Sequence, residues 1–257
     1  MIPESLTKTW KIGERKKSKD KKVAVYIHGL HGSFEEACDF SYLSPDYDVV
    51  GQDYQDGNPW ELKEEIRSKF AKITENYEEI LLIANSIGAF YAYEYLSDFN
   101  IKHAFFISPI ADMHKIVFGL RMQYHISEKE LEDKKIIELD NGQTLSYDFY
   151  KHVSNYKDDW TVPTDILYGS RDELVYIENI ATFLKAHPNA KLTIKQGSEH
   201  YMHTDEEKEF IKNWVLNVTK NFASENQSEI KKYIKRIKQG EKEDISSMSA
   251  YNPDEKW

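Results

Sequence analysis

Short apolar runs recur along this chain, and helix-length amphipathic stretches separate them. Lys22-Val23-Ala24-Val25-Tyr26-Ile27 and Glu79-Ile80-Leu81-Leu82-Ile83-Ala84 are the plainest. Runs this short with no polar alternation suit strands buried on both faces of a parallel sheet. Tyr47 to Gly51, Ile101 to Ile107, Pro163 to Tyr168 and Ala190 to Lys195 read as further strands. Between Trp60 and Tyr77, apolar residues fall at Ile66, Phe70, Ile73 and Tyr77, one face of a helix, with Pro59 where proline is tolerated at a helix start. Ile87 to Leu96, Tyr176 to His187 and Asp205 to Thr219 are the other helices; the last carries the stripe Phe210, Ile211, Trp214, Val215 and Val218. Strand alternating with helix predicts an α/β protein, a mostly parallel central sheet with helices on both faces.

Some stretches break the alternation. Thr7 to Ile12 is weakly strand-like, and the basic, polar Glu14 to Lys22 reads as a hairpin loop. Ala111 to Asp159 is long and holds Ile136-Ile137-Glu138-Leu139, Asn141-Gly142 and Thr144-Leu145-Ser146-Tyr147. Asn-Gly between apolar alternations predicts a type I′ hairpin turn. This stretch is expected to be a small cap inserted over one end of the sheet. Ser224 to Trp257 is polar and lysine-rich; Ile230, Tyr233, Ile234 and Ile237 suit one short helix, with a flexible tail from Gln239. The expected organisation is an α/β domain over residues 1–222, with its cap at about 111–159, and a polar, partly helical or flexible extension over 223–257.

At 257 residues with 40% hydrophobic side chains, the chain can bury a sizeable core. A formal net charge of −10 argues against nucleic acid or an anionic membrane as a main partner, since both need a basic face. The single cysteine, Cys38, permits no intramolecular disulfide. Met1 to Lys11 lacks the basic and apolar regions of a signal peptide, and no apolar stretch reaches the roughly 18–20 residues of a membrane span. A cytoplasmic protein without a membrane span is expected; the oligomeric state is left open.

Four loops at strand ends carry the chemistry. Ala84-Asn85-Ser86-Ile87-Gly88 joins a buried strand to a helix. A serine on such a sharp turn is pushed out at the sheet's end, with small residues two positions either side. A serine that merely caps a helix has the same local look. The helix after Ser86 has unpaired N–H groups in its first turn, so the N–H of Ile87 can stabilise a negative oxygen formed beside Ser86. His28-Gly29-Leu30-His31-Gly32-Ser33 follows the first central strand; glycine lets the backbone approach a substrate, and the N–H of Leu30 is a second donor. An ordinary glycine turn would look alike. A metal held by His28 and His31 is discounted, because no carboxylate or cysteine accompanies them at ligand spacing. Tyr168-Gly169-Ser170-Arg171-Asp172-Glu173 places Asp172 where it can fix a histidine tautomer, with Glu173 as the fallback. Gly197-Ser198-Glu199-His200-Tyr201-Met202-His203 offers His200 as the base, nearer the strand end than His203.

The order Ser, Asp, His after an early His-Gly loop, each at a strand end, puts all four loops at one edge of a parallel sheet. On Tyr26 to Ser33, Asn85 to Gly88, Gly169 to Asp172 and Gly197 to His200, the chain resembles the α/β-hydrolase family over roughly Lys8 to Asn221. The resemblance implies Ser86 as nucleophile, Asp172 as acid and His200 as base, with oxyanion N–H groups from Leu30 and Ile87. It also makes residues 111–159 the family's variable cap. His28, Gly29, His31 and Asn85 are candidate substrate contacts. The departure is Ala84, where the usual pattern has glycine. No cofactor or metal is expected. The expected reaction is cleavage of a carboxylic ester or related small acyl substrate through a covalent acyl-enzyme. A thioesterase or peptidase on the same triad, or a non-catalytic relative binding a ligand in the same pocket, are the alternatives.

Overall fold

The computed structural model describes residues 9–11, 21–54, 59–140, 142, 144–155 and 159–238. In chain order these residues form β1 (Thr9–Lys11), β2 (Lys22–Ile27), a 3-10 helix (Phe34–Leu43), β3 (Asp48–Gln52), α1 (Pro59–Thr74), β4 (Glu79–Asn85), α2 (Ile87–Tyr95) and β5 (His103–Ile107). There follow α3 (Met113–Gln123), α4 (Glu128–Lys134), β6 (Ile136–Glu138), β7 (Thr144–Ser146), α5 (Tyr147–Ser154), β8 (Thr164–Gly169), α6 (Ile177–Ala186), β9 (Ala190–Lys195) and α7 (Asp205–Lys238). Glu14 to residue 20, most of the expected basic hairpin loop, and the expected tail from Gln239 lie outside the described residues.

Seven of the described strands make one sheet in the order β1-β3-β2-β4-β5-β8-β9. β1 runs antiparallel to β3, and the other six strands are parallel. Ile27 pairs with Ala84, Ala84 with Phe106 and Phe106 with Ile166, so these strands end nearly level. Level, parallel ends put the four chemistry-bearing loops at one edge.

The apolar runs are strands because both their faces are covered. Val25, Ile27, Leu82, Ala84, Phe106 and Ile166 join a buried cluster with Phe70 of α1, Phe90 of α2 and Phe183 of α6. Burying each large side chain contributes about 1.5–3 kcal/mol relative to leaving it in water. The residues of opposite parity meet the 3-10 helix. The Tyr26 and Phe40 rings lie 5.3 Å apart. Gly51 faces the same helix so closely that a Cβ would stand 1.9 Å from the Phe34 carbonyl oxygen. Sequence periodicity does not mark this helix, yet Ser33 and Glu36 form a complete capping box at its start.

Residues 111–159 lie between β5 and β8 and hold α3, α4, the antiparallel pair β6–β7 and α5. Asp112, Ser127 and Ser146 cap the three helices, each accepting a backbone N–H. Leu131, Leu145, Tyr150 and Val153 are buried in the same cluster as the sheet. A hydrogen bond from His152 on α5 to Glu94 on α2 is a further tie to the core. The hairpin differs from the two-residue turn expected at Asn141-Gly142. Its last pair is Glu138 with Thr144, and not the residues directly flanking Asn141-Gly142. Gly142 has φ 81°, and its N–H donates to the carbonyl of Leu139, closing the turn one residue earlier.

The chain divides into two units, residues 1–212 and 213–257. In the second, helix continues to Lys238, so Ile230, Tyr233, Ile234 and Ile237 lie on a continuation of α7 and not on a separate short helix. No glycine or proline interrupts Asp205–Lys238, and nothing local ends the helix. Among the described residues, no helix is long and apolar enough to cross a membrane.

Candidate active site

Ser86 occupies the turn between β4 and α2 with φ 53° and ψ −118°. A non-glycine residue at positive φ costs of order 1–3 kcal/mol, so its surroundings must hold it. They do so through backbone alone. The Ser86 N–H donates to the Ile107 carbonyl at 3.0 Å, and the Ser86 carbonyl accepts from Ala89 and Ile110 at 3.1 Å each. The side chain makes no capping bond to α2. It turns instead to His200, whose Nε2 lies 2.9 Å from Ser86 Oγ.

His200 sits in the loop after β9, and its Nδ1 lies 2.8 Å from Asp172 Oδ2. Asp172 lies in the loop after β8. Its other oxygen, Oδ1, accepts the N–H groups of Leu174 at 2.9 Å and Val175 at 2.8 Å. The Asp172 side chain is fully buried, while that of His200 is 20% exposed. A buried carboxylate with two fixed donors on one oxygen directs its second oxygen at the imidazole. This favours the tautomer with the proton on Nδ1 and leaves Nε2 to accept the serine hydroxyl proton. The loops are themselves tied: Arg171 N–H donates to the Ser198 carbonyl at 2.9 Å, and Gly169 lies against the same stretch.

Gly29 brings the first loop against the serine: a Cβ there would stand 3.2 Å from that of Ser86. Ile87 is the first residue of α2, so its N–H has no intrahelical acceptor. Leu30, the next residue after Gly29, is 56% exposed. The His28–Ser33 loop is anchored by Glu36. One oxygen of Glu36 accepts the Ser33 N–H at 3.1 Å, and the other accepts the Tyr26 hydroxyl at 2.5 Å. Burial first, and the Glu36 carboxylate second, push the Tyr26 hydroxyl well above the ordinary tyrosine range. These anchors were not singled out from sequence, although Ser33 and Glu36 have capping-box spacing.

The remaining candidates take up different places. His28 is buried and stacks on Tyr54 with ring centroids 4.1 Å apart. Its Nδ1 lies against the Gly29 carbonyl at 2.8 Å, and its Nε2 is 3.4 Å from Asp53 without a hydrogen bond. His31 is exposed, with φ 59°. No group of three or more His, Cys, Asp or Glu that could hold a metal occurs among the described residues. Asn85 lines a cavity of about 140 Å³ beside Tyr26, Glu36, Phe40 and Tyr201. Glu173 is exposed. His203 turns away: its Nδ1 lies 3.0 Å from the Tyr201 carbonyl, and its N–H donates to Glu207.

No family model matches this chain, and no curated protein does. Solved structures do. Est1E from Butyrivibrio proteoclasticus superposes with a TM-score of 0.61 at 21% identity, over 78% of this chain and 89% of that one. The same protein with ferulic acid bound gives 0.63 at 19% identity, over 82% and 94%. The alpha/beta hydrolase domain-containing protein 10 from mouse gives 0.62 at 15% identity, over 83% and 94%. The sheet order, the crossover helices and these likenesses together give the chain the α/β-hydrolase fold.

Proposed function

We propose that this protein is a serine hydrolase that cleaves carboxylic esters of small organic acids. The observation that carries the reading is the unbroken chain from Ser86 Oγ to His200 Nε2 and from His200 Nδ1 to Asp172, at 2.9 and 2.8 Å. In this reading Ser86 attacks the ester carbonyl while His200 takes its proton. The tetrahedral oxyanion is held by the N–H groups of Leu30 and Ile87. His200 then gives the proton to the leaving alcohol, and the acyl group remains on Ser86. Water, deprotonated by His200, releases the acid. Asp172 keeps the imidazole in place and stabilises its charged form. No cofactor enters any step.

Two further solved structures of this fold, a marine microorganism esterase (TM-score 0.52, 18% identity) and the Pyrococcus furiosus esterase PF2001 (0.51, 19%), support this class of reaction. Leu174 and Tyr201, which adjoin the Asp172 and His200 loops, are 50% and 63% exposed and offer apolar surface to a substrate. The ferulic acid bound to Est1E makes an ester of an aromatic acid worth including in a test. That test is a panel of p-nitrophenyl esters of graded chain length with a feruloyl ester, run beside Ser86→Ala. Turnover that Ser86→Ala abolishes, with covalent labelling of Ser86 by a fluorophosphonate, is the expected result. A folded protein that neither turns over any ester nor takes the label would overturn the reading.

A further inference from the structure

A second opening lies away from the triad, between α2, α3, α5 and α6. It is a cleft of about 190 Å³. Phe90 and Tyr93 of α2, Met113 of α3, Val153 of α5 and Phe183 of α6 supply apolar wall. Asn179 of α6 interrupts that wall. Asn179, Phe183 and Ala186 recur at spacings of four and three, so one face of α6 carries them all to the cleft.

Asn179 is 6% exposed, and among the described residues no hydrogen bond reaches its side-chain amide. An asparagine amide has two N–H donors and a carbonyl acceptor. Neither amide atom is sealed from solvent, so water in the open cleft can meet it, and a guest that displaces that water must supply a donor and an acceptor in its place. The neighbouring positions follow the apolar rule: Ile180 and Phe183 are buried in the core cluster. Among the described residues nothing pairs with the Asn179 amide, and the space it borders is the cleft.

Tyr93, Asp112 and Thr182 on the wall have partners: the Tyr93 hydroxyl donates to the Ala111 carbonyl at 3.3 Å. Asp112 accepts the Lys115 N–H at 3.0 Å and lies 3.3 Å from the Lys115 ammonium. Thr182 donates to the Glu178 carbonyl and accepts from Lys115. The His114 ring packs beside Phe118 and Tyr150. The acid and base at this site thus neutralise one another, which selects against a charged guest. The size is also restrictive. A dry cavity of roughly 150 Å³ takes a benzene ring, so this cleft takes one ring and one small polar group.

From these features we infer that the cleft is a second binding site, for a neutral, single-ring molecule carrying a donor and an acceptor together. A primary aromatic amide pairs with both edges of the Asn179 amide, and a phenol pairs with its carbonyl. Ser86, Asp172 and His200 are not on the wall, so the site does not depend on the proposed hydrolysis.

Nuclear magnetic resonance on the full ¹⁵N-labelled chain tests this directly. The side-chain NH₂ pair of Asn179 is assigned by its loss in Asn179→Leu. Benzamide and phenol are titrated into both proteins, with toluene as the apolar control. The expected result is a saturable shift of the Asn179 pair with benzamide and phenol. In Asn179→Leu, benzamide affinity should fall at least tenfold while toluene affinity is kept or improved. Leucine has the same branched shape and is somewhat larger, and the open cleft gives it room, so the variant should keep a cooperative thermal transition. Should it prove unstable, Asn179→Ser replaces it. No saturable shift up to the solubility of either compound, or equal benzamide affinity in the variant, overturns the assignment.

Discussion

Gly88 lies so close beneath His28 that a Cβ on it would stand 2.4 Å from the His28 carbonyl oxygen and 2.7 Å from that of Ile27. The first turn of α2 therefore touches the end of β2 through bare backbone. Ser86 and the Leu30 loop are set against each other by this contact. Gly88→Ala should push the two apart, because neither partner is a flexible side chain. Displacement of about 1 Å at a catalytic constellation can cost on the order of 10²-fold in rate. A loss of that size in kcat on p-nitrophenyl acetate, with a lowered Tm, is expected; wild-type kcat in the variant would contradict it.

The other small residue of the elbow behaves differently. Ala84 is fully buried, and its Cβ belongs to the apolar cluster. Ala84→Gly restores the more usual elbow pattern but removes a packed methyl from a strand. It should cost about 0.5–1 kcal/mol of stability from backbone entropy alone, with kcat held within a few-fold. Urea unfolding and ester turnover measured together check both parts.

These two positions mark how far sequence carries. The elbow, the strand and the helix were legible because buried runs and turn residues are local signals; β9 has the bounds expected for it, and β4 extends one residue further, to Asn85. Which of the two small residues is sterically obligatory was not legible, since that depends on β2, far off in the chain. The same reason hides the His152–Glu94 pair and the Glu36 anchor on Tyr26. The 3-10 helix escaped because its apolar residues lack the 3.6 period. The Asn179 amide looks in sequence like a lapse in an apolar stripe; only its setting gives it meaning.

Asp172 is the place to test tautomer control. Its Oδ1 accepts two backbone N–H groups. In Asp172→Asn the amide oxygen should stay with those donors, which turns the NH₂ toward His200. Nδ1 must then accept, the imidazole proton moves to Nε2, and Nε2 no longer accepts the Ser86 hydroxyl. A loss of about 10⁴-fold in kcat is expected from a tautomer error of this kind, with the fold retained. Activity within tenfold of wild type would remove Asp172 from the role proposed for it.

The two histidines of the last loop should separate cleanly. His203 stacks on Tyr201 at 4.5 Å, and its backbone N–H, not its ring, meets Glu207. His203→Ala keeps that backbone bond and should change kcat by no more than a few-fold. His200→Ala removes the proposed base, and its loss should approach that of Ser86→Ala, on the order of 10⁴-fold or more, because members of a triad act as a unit. Equal losses in the two variants, or the reverse order, would reassign the base.

Glu94 gives the prediction in pH. Its side chain is 4% exposed on α2 and pairs with His152 of α5. Burial raises its carboxyl above the ordinary value, and His152 and Lys63 oppose this without cancelling it. A carboxyl raised on folding binds its proton more tightly in the native state. The stability linked to that proton is complete below the unfolded value, about 4.3, and is lost as pH rises through the folded one. Glu94→Gln keeps a neutral hydrogen-bonding group and does not titrate. Its partner His152 is 30% exposed, so water can replace what the pair loses. In urea unfolding from pH 4 to 8, stability relative to wild type should therefore shift in favour of Glu94→Gln as pH rises, most steeply just above the unfolded value. A shift in the opposite direction would mean that attraction to His152 outweighs burial and that the pair fastens α5 to α2 at neutral pH.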